Sequence, residues 1–165
     1  MLTSTTMKLF ALLALPLAAV AAPNPKISKR FDEVVFAPAN PPQSQGYNKC
    51  LTEEHQKTSL LHTADMLDCL EIGTWASDND GMWLLTATTD PKDDTDWHIL
   101  RQAGNCAFLV KNQQPTSVGN KDVSDFIDEI HLHDDVHLLP IEMVGTFGGC
   151  QNNANVSFWL RDTNF

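Results

Sequence analysis

Six histidines, 21 Asp+Glu and four cysteines are the residues of this 165-residue chain whose types could do chemistry. The densest cluster is His131-Leu132-His133, with Asp134, Asp135 and His137 close behind. On a β-strand, His-x-His turns both rings to one side, and three or four such ligands converging make a transition-metal site. At the polar end of a helix the same residues serve the last carbonyls instead. The helix end is the reading taken, with no metal and no cofactor assigned. A metal-dependent secreted enzyme centred on His131, His133 and His137 is kept as the enzymatic alternative. Asp78-Asn79-Asp80-Gly81 has the look of a calcium loop. Its register puts Ala76 first and Ala87 twelfth, where the helix-loop-helix site needs Glu at the twelfth position, so it reads as a turn. Asp90, Asp93, Asp94 and Asp96 read as an acidic surface loop. Among so many acids, a carboxylate pair spaced for glycoside hydrolysis carries no signal. There is no Gly-x-Ser-x-Gly elbow and no phosphate-cradling loop. No catalytic residue is assigned.

The cysteines point to oxidation. Cys50, Cys69, Cys106 and Cys150 form an even set without any Cys-x-x-Cys pair, which argues for two disulfides over zinc. The sequence itself leaves three pairings open. Asn155-Val156-Ser157 is a glycosylation sequon, its Ser hydroxyl two residues beyond the acceptor amide.

The segments ahead of the cysteines agree with export. Lys8 is followed by an apolar run from Leu9 to Ala22, and Ala19-Val20-Ala21 supplies the small residues that a signal peptidase reads. Residues 1–21 therefore read as a signal peptide. The run is too short for a comfortable membrane span. Residues 22–30 read as a pro-segment ending in the dibasic pair Lys29-Arg30. Residues 31–48 contain several prolines and read as an extended arm, within which Glu33–Phe36 has the composition of a short edge strand. Residues 49–165 form the domain. With 11 Lys+Arg the formal net charge is −10, which disfavours nucleic acid and anionic lipid as partners and favours a soluble monomer. No basic amphipathic stretch supports membrane insertion.

Helical spacing places Met66, Cys69, Leu70 and Gly73 on one face after Asp65, with Gly73 allowing close approach to a sheet. A second helix follows Val118-Gly119, with Asn120 as N-cap, Asp122 and Asp125 in its first turns, and Val123, Phe126, Ile127 and Ile130 inward. Met82–Thr89, Trp97–Leu100, Cys106–Lys111, Leu138–Val144 and Val156–Leu160 read as strands. Without regular β-α-β alternation, this predicts an α+β domain: two helices packed on one face of an antiparallel sheet.

Several pieces in order resemble the fungal extracellular-protein-two effectors, a family of candidate necrosis-inducing factors. The pieces are Asp68-Cys69, Trp83, Gly104-Asn105-Cys106-Ala107-Phe108-Leu109-Val110, Val118-Gly119-Asn120-Lys121-Asp122-Val123 and Val144-Gly145-Thr146-Phe147-Gly148-Gly149-Cys150, closed by the Trp-bearing strand Val156–Leu160. The resemblance covers about Cys50 to Arg161. It implies a secreted effector without catalytic residues, acting on a host or microbial extracellular protein and able to trigger host cell death. It implies pairing of Cys50 with Cys69 and of Cys106 with Cys150. It implies a fold like that of small killer toxins, whose antimicrobial action is the alternative function.

Overall fold

The computed structural model of the chain describes residues 34–40, 46–47, 49–58, 61–87, 96–133 and 140–164. The leader, Lys29-Arg30, Asp90, Asp93, Asp94, Asp134, Asp135 and His137 lie outside the described residues. The elements are β1 (Val35–Pro38), β2 (Thr52–Lys57), α1 (Met66–Asp78), β3 (Gly81–Leu85), β4 (His98–Ala103), β5 (Cys106–Asn112), β6 (Thr116–Gly119), α2 (Asn120–His133), β7 (Met143–Cys150) and β8 (Ala154–Asp162).

The α+β class holds, with one difference: the strands form two antiparallel sheets. The larger runs β2-β7-β8-β5-β4 and the smaller β1-β3-β6. Two strands, β2 and β6, carry no strand signal in the sequence. β2 reads Thr-Glu-Glu-His-Gln-Lys and lacks apolar alternation, because it is an edge strand. Charge on such an edge discourages pairing with other chains. β6 is only four residues long and runs straight into α2. Part of the proline-rich arm is also strand: Ala37 and Pro38 pair with Met82 and Gly81. Pro is compatible with an edge, since its missing N–H is not needed there.

α1 begins where Asp65 accepts a hydrogen bond from the Leu67 N–H at 2.9 Å. Its buried residues Met66, Cys69, Ile72, Gly73 and Ala76 follow helical spacing. Gly73 faces α2 and not a sheet. A Cβ there would come within 2.9 Å of the Ile127 side chain, so this glycine sets how closely the two helices approach. The core lies between α2 and the larger sheet. Phe126 of α2 packs on Phe108, Phe147 and Phe158, with its ring 4.6 Å from that of Phe158. All four rings are buried. A second aromatic group, Phe36, Trp75 and Trp83, fastens the smaller sheet to α1 at centroid distances of 5.0 to 6.0 Å.

The disulfides join Cys50 to Cys150 and Cys69 to Cys106, correcting the pairing that the family resemblance implied. Strand register gives the physical reason. β2 and β7 are antiparallel with Thr52 opposite Gly148, so stepping two residues back along β2 and two forward along β7 brings Cys50 against Cys150. Cys69 sits on the buried face of α1, over the start of β5, where Cys106 lies. Neither pairing is local: the sequence separations are 100 and 37. By chain entropy, closing loops of these sizes stabilises by roughly 4–5 kcal/mol each.

Non-reducing peptide mapping is expected to recover peptides linked Cys50–Cys150 and Cys69–Cys106. The double variant Cys50→Ala/Cys150→Ala should lose about 4 kcal/mol in denaturant unfolding. A Cys50–Cys69 peptide would contradict the fold.

Candidate functional site

Two carboxylates in the first turns of the helices organise the segments that carry the cysteines. Asp68 of α1 accepts from the Asn105 N–H at 2.8 Å, and the Asn105 side-chain oxygen accepts from the Asp65 N–H at 2.8 Å. This exchange clamps the β4–β5 turn beside Cys69–Cys106. Gly104 in that turn has φ +49°, and a Cβ would lie 2.3 Å from the Asp68 carboxylate, so only glycine fits.

Asp122 of α2 does the same at the other disulfide. Its carboxylate accepts from Gly119 N–H at 2.7 Å, Lys49 N–H at 3.0 Å and Cys50 N–H at 3.2 Å. Burial pushes its pKa up, and these backbone donors pull against that rise. Asn120 is not the cap that the sequence indicated but the first residue of α2. Its oxygen accepts from the Tyr47 N–H at 2.7 Å, while its amide donates to the Ala76 carbonyl at 3.0 Å. Gly119 admits the Tyr47 carbonyl, which would sit 1.9 Å from any Cβ placed there.

Of the histidine cluster, His131 and the backbone of His133 fall in α2, and His137 lies outside the described residues. The backbone of residues 131–133 is the last turn of α2 and not a strand, so the strand setting that a His-x-His ligand pair requires is absent there. Among the described residues, no three His, Cys, Asp or Glu side chains come together as metal ligands. Asp78 closes α1, and the Asn79 side chain donates to the Trp75 carbonyl at 2.8 Å. Asn155 is exposed near the start of β8. The cleft with the largest volume among those described, about 850 Å³, is lined by Asp78, Asp80, Asp125 and Asp128 beside Lys121, which pairs with Asp125 at 2.7 Å.

The outer face of the larger sheet, away from α2, carries a different chemistry. Register sets Glu54, Thr146, Ser157 and Lys111 side by side across four strands, and Gln56, Val144, Trp159 and Leu109 in the next row. Trp97, just ahead of β4, leans over this face with its ring 5.6 Å from that of Trp159. The Arg161 guanidinium lies 4.3 Å from the Trp159 ring, and the Lys111 ammonium 5.8 Å from that of Trp97. Cations on both flanks of the indole pair hold it in place. Buried Glu142 accepts from the Trp159 indole N–H at 3.1 Å and from the His62 N–H at 3.0 Å. Burial alone would raise the Glu142 pKa. The nearby Thr58 hydroxyl, these two donors and the His62 charge outweigh burial and hold it low. The sequence signals only the types of these residues, because the face is assembled from four strands and a loop.

The chain matches the model of the Hce2 family, described as pathogen effectors and candidate necrosis-inducing factors, over residues 49–138. That is more than half of its length. The chain belongs to this family. No curated protein matches it. The Hce2 span holds both helices, Cys50, Cys69 and Cys106. It stops before β7 and β8, which supply Cys150, Phe147 and Phe158.

Asp122 and Glu142 should give opposite pH signatures. The Glu142 pKa is lower in the folded state, so its stabilisation is full above the ordinary carboxylate range and is lost as pH falls through the folded value. The Asp122 pKa is higher in the folded state, so stability falls as pH rises from its unfolded value through the raised one. Urea unfolding across pH should show Glu142→Gln flattening the acid limb. Asp122→Asn should remove the fall with rising pH, at a cost of about 1–2 kcal/mol overall. Profiles unchanged by either substitution would contradict these roles.

Proposed function

We propose that this chain is a secreted effector that acts by binding an extracellular target and provokes host cell death, without catalysing a reaction. The observation that carries this reading is the pathogen-effector family match over residues 49–138. Two buried disulfides support an exported protein, since such bridges form and persist in oxidising compartments. Among the described residues, no helix is long and apolar enough to cross a membrane. In this proposal residues 1–21 direct export and Lys29-Arg30 marks the end of a removed pro-segment. Asn155 carries a glycan, for which its exposure on β8 leaves room. The strongly negative charge keeps the product soluble and monomeric.

The test is infiltration of purified, disulfide-intact protein into leaves, with reduced and alkylated protein as control. Dose-dependent cell death with the intact form alone is expected. Inhibition of fungal growth without any leaf response would overturn the host-directed reading in favour of the antimicrobial one.

A further inference from the structure

The outer face of the larger sheet holds a groove of about 480 Å³, within the range usual for small-ligand clefts, roughly 300–1,000 Å³. Glu54, Thr146 and Ser157 make one row of its floor, Gln56 and Val144 the next, and Trp97 forms the wall. We propose that this groove binds a neutral oligosaccharide, with one pyranose ring stacked on Trp97 and its hydroxyls bonded to Glu54, Gln56, Thr146 and Ser157. The proposal deepens the extracellular-binding reading above by naming a ligand class and a site.

The argument is one of chemical match. A pyranose has an apolar C–H face and a rim of hydroxyls that both donate and accept. An indole wall beside a carboxylate, an amide and two hydroxyls offers a partner for each part. The wall is prepared in advance, because Trp159 and Lys111 hold Trp97 and Arg161 and Glu142 hold Trp159. A wall that does not have to be ordered on binding spares affinity. Glu54 at the floor and a net charge of −10 disfavour an anionic ligand. An extended peptide adding a strand would need an open strand edge. The groove lies instead over the pleated face of paired strands β2, β7 and β8. Asn155 stands on this same face, two residues before Ser157, so the chain's own glycan is the competing occupant.

The experiment uses the full secreted chain carrying Asn155→Gln, titrated with cellotetraose and chitotetraose by calorimetry and two-dimensional NMR. One of the two sugars should bind and shift the Trp97 indole N–H signal. Trp97→Ala should weaken binding about tenfold or more, the scale of one aromatic stacking contact. Glu54→Gln on the exposed floor should keep the fold and also weaken binding, which guards against misfolding of the Trp variant. Binding unchanged in Trp97→Ala would overturn the site. No binding of either sugar up to about 10 mM would overturn the ligand class, since a weaker affinity is worth less than about 3 kcal/mol. Movement of the Trp97 signal only when the wild-type glycan is enzymatically removed would assign the groove to the chain's own glycan and overturn the free-ligand proposal. Leaf infiltration with Trp97→Ala separates the two readings. Sugar binding can fail while necrosis persists, and necrosis can fail while sugar binding persists.

Discussion

The Asp122 carboxylate sits at the base of α2 and accepts hydrogen bonds from three backbone N–H groups: one from Gly119, the residue just before the helix, and two in the segment that carries Cys50. That point ties the start of α2 to a segment more than seventy residues earlier in the chain. The segment it holds is continuous with β2, whose register against β7 sets Cys50 against Cys150. The same helix turn holds Tyr47 through Asn120 and Lys121, and Asn120 reaches across to the end of α1. Carboxylates are favoured here twice over, by the unpaired N–H groups of a helix N-terminus and by its dipole. Burial works against them, as the raised Asp122 pKa records. The hydrogen bonds offset part of that cost.

Asp68 repeats the device at α1. Each disulfide thus has a neighbouring carboxylate that fixes one of the backbone segments it joins. The clamps explain two glycines. Gly104 yields space to Asp68, and Gly119 yields space to the Tyr47 carbonyl. Between the clamps, the four phenylalanines of the core bind α2 to the larger sheet. The inner face of that sheet is committed to packing. Its outer face is free to carry Trp97, Trp159 and the polar rows beside them, so binding chemistry there does not compete with stability.

Both helices were legible in the sequence because their inward residues keep a helical period: Met66, Cys69 and Gly73 in one, Val123, Phe126 and Ile130 in the other. β5 and β8 were legible as apolar runs. β2 was not, since an edge strand with Glu53, Glu54 and His55 has no hydrophobic pattern to show. The division into two sheets was hidden because pairing depends on which strands meet, which local pattern does not encode. The disulfide partners were hidden for the same reason: Cys50–Cys150 follows from the β2–β7 register and not from spacing along the chain. Asp122 was placed correctly in the first helical turn, but its partners Lys49 and Cys50 lie more than seventy residues away. The Trp97 groove is likewise a property of assembled strands.

Native-state hydrogen exchange at the amides of Tyr47, Lys49 and Cys50 tests the clamp most directly. These groups lie outside any helix or strand, so as ordinary loop amides they would exchange through small local openings. Held by Asn120 and Asp122, they are predicted to exchange only with global unfolding, at the same free energy as the buried amides of β5 and β8. Rapid exchange at Lys49 and Cys50 while β5 and β8 stay protected would contradict the account.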